Sequence, residues 1–210
     1  WRNKFDIKLI CPEDGDLPNL ARKDGLSVTI VKRPKFPSVS LLFNDRYIPN
    51  PFGILITFLN IFRAAGQITE YLKENPMDIV VTKGLLAHLY GGLAAKKSGI
   101  PCIWYMQEVV DSRRALGLYH KVLLWGAENL ADKIFVDAGD LLPQFESRNL
   151  VHKEITVIPN GIDVKKFKKF SSQEKSEARQ ALGIPENALV IGQAGRLIPL
   201  KGQKKTIEAF

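Results

Sequence analysis

The sequence predicts an α/β protein built on a parallel sheet, and three observations carry that prediction. Short apolar runs rich in Val and Ile recur along the chain, helix-length segments lie between them, and the connections are too long for tight hairpins. Most of the runs do not alternate strictly between apolar and polar, as expected of strands covered on both faces.

Strands are expected at residues 5–11 (FDIKLIC), 26–31 (LSVTIV), 78–82 (DIVVT), 101–106 (PCIWYM), 132–136 (DKIFV) and 155–159 (ITVIP). Between them, Asn50 caps a helix over 51–74 with Pro51 at its first position, and Pro76 stops it. A second helix, 85–97, ends at Gly99 ahead of Pro101. Further helices are expected at 119–130 and 140–149. After Asp163 the chain turns polar and lysine-rich, with a helix over 173–182 stopped by Gly183 and Pro185. A last strand, 189–195, leads through a loop into a helix that begins near Gln203. The expected organisation is a domain over 1–163, a connector over 164–188 and the start of a second domain over 189–210.

Hydrophobic residues make up 45% and charged residues 25% of the 210, an ordinary globular composition. The apolar stretch from Phe52 to Phe62 is interrupted by Thr57 and Asn60 and ends at Arg63, short of the roughly 18 residues of a membrane span. No spanning helix is expected. The opening WRNKFDIKLICPEDG lacks the signal-peptide pattern. Cys11 and Cys102, the two cysteines, lie in no CxxC or Cys/His cluster, which argues against a zinc site and a disulfide framework and for a reduced cytosolic protein. The net charge of +8 favours anionic partners: nucleic acid, an acidic membrane surface or phosphate-bearing small molecules. No RNA- or DNA-binding motif surrounds the lysines, so nucleic acid is not an expected partner.

Ligands of parallel sheets bind beyond the carboxyl ends of the strands. Pro159-Asn160-Gly161 lies at such an end, reading as a turn, and Lys83 at another. In GRLIPLKGQKKTIEAF (195–210), Gly195 closes a strand and removes side-chain bulk, while Arg196 and Lys201 bracket a short loop before a helix start. That combination suits a diphosphate, since Arg supplies a planar fork and Lys a compact charge. A solvated basic loop is the alternative. The order Lys201-Gly202 is not that of a Walker A loop.

Together, VIPNGIDVKKF and IGQAGRLIPLKGQKKTIEAF resemble the GT-B glycosyltransferases of family 4, and the likeness extends through FDIKLICPEDGDLPNLARKDGLSVTIV and GLAAKKSGIPCIWYMQEV. The resemblance implies a Rossmann-like acceptor-side domain followed by the beginning of a second Rossmann-like domain that binds a nucleotide sugar. It implies sugar transfer with retention of configuration and without a metal, to a glycan, lipid-linked or cell-envelope saccharide. Arg196, Lys201 and Gly195 would meet the donor diphosphate, and Asn160 and Gly161 would face the cleft. The family's first strand and its Gly-Gly loop are lacking before KFDIKLICP, and its spaced acidic pair would fall after Phe210.

The chain departs from the family pattern at two strand ends. After CIWYM a His and an acidic residue are usual, and here Gln107-Glu108 stand; after DKIFV a Ser is usual, and here Asp137 stands. Glu108 either orients or deprotonates an acceptor hydroxyl or is a surface residue, whereas Gln107 only hydrogen-bonds. His88, within LLAHLYGGLAAKK, reads as a packed or half-exposed helix residue rather than a catalyst, and Gly91 and Gly92 as points of close helix–sheet packing. Lysines 165, 166, 168 and 169 alternate with Phe167 and Phe170, forming either a solvated connector or a contact with an acidic membrane on its cytoplasmic side. Two other functions remain open: a GT-B enzyme such as a sugar-nucleotide epimerase, and a donor-binding or scaffold module without catalysis.

Overall fold

A computed structural model of the chain describes residues 4–43, 46–108, 117–146, 152–198 and 201–210. The chain divides into two compact units, Trp1–Asn160 and Gly161–Phe210.

In the first unit β1 (Lys8–Cys11) and β2 (Ser27–Ile30) pair in parallel across α1 (Asp16–Lys23). A hairpin of β3 (Ser40–Phe43) and β4 (Arg46–Pro49) follows and leads into α2 (Pro51–Glu74). Then come β5 (Val80–Lys83), α3 (Leu85–Ser98), β6 (Cys102–Met106), α4 (Leu118–Leu130), β7 (Lys133–Val136), a 3-10 turn (Gly139–Leu141), α5 (Pro143–Glu146) and β8 (Ile155–Val157). Strands β5, β6, β7 and β8 form one parallel sheet in that order, as the α/β reading expects.

Neither α1 nor the hairpin is anticipated from the sequence. Helix α1 is only eight residues long and buries Pro18 and Ala21. The hairpin had a usable signal, Asn44-Asp45 between two apolar runs. The helix expected over 140–149 is instead the 3-10 turn and the short α5, with 147–149 outside the described residues.

Among the described residues β1 and β5 do not pair. Between them lies a groove of about 700 Å³ lined by Leu9 and Cys11 of β1, Ile68 and Tyr71 of α2, and Val81 and Thr82 of β5. The expectation that strands are covered on both faces is corrected as well. Burial alternates along β6, with Cys102, Trp104 and Met106 buried and Ile103 and Tyr105 half-buried, and Val81 of β5 is 60% exposed beside buried Thr82. Among the described residues, α3 and α4 pack on one face of this sheet.

That face carries the core. Helix α3 lies over β5 and β6 with α2 on one side and α4 on the other. Two glycines set its distance from the sheet: a Cβ on Gly91 would come 2.7 Å from Thr82 Cγ2, and one on Gly92 2.9 Å from Leu130 Cβ and 3.1 Å from Trp104 Nε1. Trp104, Met106, Ile134 and Val136 of the sheet then meet Leu89 of α3 and Leu123, Leu124 and Ala127 of α4. His88 sits inside this layer, fully buried, with Nδ1 2.7 Å from Thr82 Oγ1 and its ring stacked on Trp104 at 4.8 Å. Burial pushes its pKa down to about 3. It is the packed residue expected, and it is neutral.

The starts of β6 and β7 are joined reciprocally: Cys102 N donates to Asp132 Oδ2 at 2.7 Å and Asp132 N to Cys102 O at 2.8 Å. Burial, with the Asp132 charge adding to it, raises the Cys102 thiol to about 12, and burial raises that of buried Cys11. Both thiols are free and held in the unreactive protonated form.

Helix α2 runs eleven residues beyond Arg63 and is long and apolar enough to pass for a membrane span by length and composition only. Its packing is that of a core helix with one bare face. Asn50 caps it, accepting from Gly53 N at 3.0 Å. Buried Asn60 donates to Lys35 O at 2.7 Å and Thr69 to Ala65 O at 2.8 Å. Asn60 ties this face to the segment before the hairpin, and Thr69 bonds back within the helix itself.

The second unit holds α6 (Ser172–Ala181) and α7 (Gln203–Glu208). A capping box starts α6, Ser171 Oγ accepting from Glu174 N at 3.2 Å and the Glu174 carboxylate accepting from Ser171 N at 2.8 Å. The strand expected over 189–195 is not formed. A strand requires a ladder partner, and the described residues of this unit offer none, so Leu189, Val190 and Ile191 stay exposed.

Two predictions concern the core. Gly91→Ala and Gly92→Ala should each lower stability by about 1–3 kcal/mol through overpacking. Gly66→Ala, whose Cβ meets nothing within 4 Å, should leave stability unchanged or raise it by up to about 1 kcal/mol through helix propensity. Urea unfolding of the three variants checks the opposite signs. His88 protonates in the unfolded chain near 6.5 and in the folded chain only near 3, so the unfolded state binds more protons between those values. Stability should therefore fall with acid through that window, by about 2 kcal/mol at pH 5. His88→Gln should flatten that part of the pH profile in urea unfolding.

Candidate active site at the strand ends

In a parallel sheet the carboxyl ends of all strands share one edge. Lys83 ends β5, Gln107 and Glu108 follow β6, Asp137 follows β7, and Asn160 lies three residues past β8. The ladder runs to its last residue: Asp137 N donates to Met106 O at 3.3 Å and Ile158 N to Val136 O at 2.7 Å. These bonds bring the strand ends level.

Asn160 joins them. Its Oδ1 accepts from Tyr105 Oη and from Gln107 Nε2, both at 2.9 Å, and its Nδ2 donates to Asp137 Oδ2 at 3.0 Å. The Tyr105 hydroxyl also lies 3.2 Å from Ile158 O, so one proton serves two acceptors. Donors on one side and a carboxylate on the other leave the amide a single orientation. The Lys83 ammonium stands 5.7 Å from the centre of the Tyr105 ring, within cation–π range.

The structure therefore brings Lys83, Gln107 and Asn160 into one polar cluster and adds Tyr105 and Asp137, which sequence reasoning did not assign. Tyr105 had a signal: it alternates with Trp104 and Met106, so it faces away from the core. Asp137 stood out in the sequence where a Ser is usual, but its partner, 23 residues away, is visible only in the structure. Glu108 is exposed beside the cluster, and no described residue of the cluster bonds to it. His88 lies in the core, outside the site.

The turn expected at Pro159-Asn160-Gly161 is not formed; among the described residues the first turn hydrogen bond after β8 is Lys166 N to Asp163 O, at 3.0 Å. The Asn160 side chain, rather than a backbone turn, ends the strand. Gly161 opens the second unit, and a Cβ there would meet nothing within 4 Å.

In the second unit the basic loop is held by two amides that sequence reasoning missed. Gln193 Nε2 donates to Lys201 O at 2.6 Å and Gln203 Nε2 to Arg196 O at 2.8 Å. Lys201 N also donates to Ile198 O at 2.9 Å, while residues 199 and 200 lie outside the described residues. Both backbone carbonyls of the cationic residues are thus tied down. Gly195 ends no strand, and a Cβ there would make ordinary contacts, 3.6 Å from Gln203 Nε2 and 3.7 Å from Lys201 Cγ. The carboxylates of this site do not cluster: among the described residues no group of three His, Cys, Asp or Glu side chains is placed to hold a metal.

The sequence model of Glycosyltransferase Family 4 matches residues 2–166. A UDP-Gal:alpha-D-GlcNAc-diphosphoundecaprenol alpha-1,3-galactosyltransferase of Escherichia coli is 26% identical over 98% of this chain and 49% of its own. A GDP-mannose-dependent monoacylated alpha-(1-6)-phosphatidylinositol monomannoside mannosyltransferase of Corynebacterium glutamicum is 37% identical over 33% of this chain and 18% of its own. Among solved structures, Anabaena Alr3699/HepE in complex with UDP and glucose superposes with a TM-score of 0.69, at 19% identity, over 96% of this chain and 49% of that one. That likeness shows the fold, the GT-B type that the sequence resemblance implies. The chain spans about half the length of the Escherichia coli and Anabaena proteins. With more than half of its residues matched by the family's model, the chain belongs to Glycosyltransferase Family 4.

Proposed function

We propose that the protein transfers a sugar from a nucleotide-sugar donor to a saccharide or lipid-linked acceptor, with retention of configuration and without a metal. The observation that carries the acceptor side of this reading is the cluster of Lys83, Tyr105, Gln107, Asp137 and Asn160 at the carboxyl ends of a parallel sheet. Hydroxyl, amide, carboxylate and ammonium groups together suit a hydroxyl-rich acceptor, and Glu108, exposed beside them, is the carboxylate we assign to orienting or deprotonating the attacking hydroxyl. Gln107, spent on Asn160, moves no proton.

On the donor side, breaking the sugar–phosphate bond leaves negative charge on the departing diphosphate. Arg196 and Lys201 are assigned to that charge, and the amides of Gln193 and Gln203 hold the loop that carries them. Cations fixed before the reaction stabilise developing charge without reorganisation, so no metal is required. The donors named for the relatives, UDP-Gal and GDP-mannose, are the first to try, and their lipid-linked acceptors fit a protein working at the cytoplasmic face of a membrane.

A second reading, donor binding without transfer, is favoured by Gln107, where the family pattern has a His. Product analysis separates the two: a new glycoside supports the transferase, and bound but unconsumed donor supports the module.

For the transferase, Arg196→Ala and Lys201→Ala should each lower turnover by about 10²–10³-fold. Initial rates with UDP-galactose or GDP-mannose measure this, and rates within twofold of the parent in both variants would remove the diphosphate assignment.

A further inference from the structure

Asn160 is followed by Gly161, the one Asn-Gly step in the sequence. Such a step carries a reaction of its own. The amide nitrogen of the second residue can close on the Asn Cγ to form a succinimide ring, and glycine, without a Cβ, lets the backbone fold into the attack. Elsewhere in the chain asparagine precedes Lys, Leu, Asp, Pro, Ile or Ala, whose side chains hinder that approach. Nothing occupies the nucleophile here. Gly161 is exposed, its N–H donates to no described acceptor, and a Cβ on it would meet nothing within 4 Å.

The electrophile, by contrast, is held. Tyr105 and Gln107 donate to Asn160 Oδ1, both at 2.9 Å, and Asp137 accepts from Nδ2 at 3.0 Å. Ring closure turns Cγ tetrahedral, which moves Oδ1 out of the plane in which its two donors reach it. It also expels Nδ2, which ends the bond to Asp137. The Asp137 carboxylate further opposes the negative charge that gathers on Oδ1 during the attack. Three hydrogen bonds of this kind slow release of the amide by roughly 10–100-fold.

We propose that Asn160 is a deamidation site locked by Tyr105, Gln107 and Asp137, and that its conversion dismantles the strand-end cluster in one direction. Solvent base takes the Gly161 N–H proton, the N–Cγ bond forms, and the Cγ–Nδ2 bond breaks as Nδ2 leaves as ammonia. Water then opens the ring, at Cγ to give aspartate or at the Asn160 backbone carbonyl to give isoaspartate. The balance is amide plus water to carboxylate plus ammonium, with nothing oxidised or reduced. Tyr105 and Gln107 can still donate to the new carboxylate. The Nδ2–H that bridged to Asp137 is gone, and a second negative charge stands in its place. Like charges at contact distance repel, so the tie between the end of β7 and the chain after β8 opens. The inference rests on no assignment of donor, acceptor or reaction.

Peptide mapping of the full chain tests it. The tryptic peptide from Glu154 to Lys165 holds Asn160 as its one amide side chain, so conversion reads as a gain of about 1 Da in that peptide. In mildly alkaline buffer over several weeks, the folded chain should convert roughly 10–100-fold more slowly than the same peptide made synthetically. Asp137→Ala and the pair Tyr105→Phe/Gln107→Leu should each convert severalfold faster than the parent, with circular dichroism and unfolding midpoint unchanged. Asp137→Asn, whose side-chain oxygen can still accept from Nδ2, should stay near the parent rate, which a general loss of stability would not give. Gly161→Ala placed in the Asp137→Ala chain should slow conversion again by about tenfold or more. The proposal is overturned if the folded chain converts as fast as the free peptide, if the released variants are no faster than the parent, or if Gly161→Ala changes nothing. Slower conversion in Tyr105→Phe/Gln107→Leu would overturn it too, because the two donors would then be stabilising the oxyanion of ring closure instead of locking the amide.

Discussion

The first unit is organised by how closely α3 approaches the sheet. Without side chains at Gly91 and Gly92 the helix settles onto Thr82, Trp104 and Leu130, and at that distance His88 reaches Thr82 and stacks on Trp104. Everything lateral follows from this contact, because α2 and α4 both pack on α3. The cost is a titratable ring held in the interior: His88 Nε2 and Trp104 Nε1 are buried with no partner among the described residues, so a proton on the ring would have no acceptor. Neutral His88 is thus a condition of the packing, and it lies in the core, outside the cluster at the strand ends.

The same strands that anchor the core also present the site, and the period of two divides the labour. Trp104 and Met106 turn toward α3 and α4, and Tyr105 and Gln107, between and beyond them, turn away. On β5, Thr82 is buried and Lys83 exposed. A shift of one residue in register would send Tyr105 into the core and Trp104 into solvent, so the large buried side chains fix the position of the polar cluster. Packing on one face of the sheet therefore sets geometry on the other.

What the sequence conveys tracks the range of the interactions. Asn50 with Pro51, and Gly99 before Pro101, are local signals, and the ends of α2 and α3 lie where they predict. The strand expected over 189–195 has the composition of a strand, yet composition does not provide a partner, and the exposed Leu189–Ile191 segment shows the difference. Asn160 was legible as the end of a strand through Pro159 and Gly161. Its real task was not, since Tyr105, Gln107 and Asp137 reach it across 55, 53 and 23 positions of sequence. Gln193 and Gln203 were passed over for the opposite reason: each bonds a backbone carbonyl, and glutamine carries no motif for that.

The two departures from the family pattern, Gln107 and Asp137, converge on one side chain. An ionised carboxylate only accepts, so Asp137 takes the NH₂ side of Asn160, and the Gln107 amide can then give a proton to the oxygen side. A serine at Asp137 could either donate or accept and would leave the Asn160 amide free to turn over. A histidine at Gln107 would donate too, but its charge would change across the physiological range and the contact with it. The pair found here makes the orientation of Asn160 independent of histidine titration. The one carboxylate of the cluster, Asp137, is held by Asn160, and the acid–base role proposed above rests on Glu108, next to Gln107, which no described member of the cluster holds.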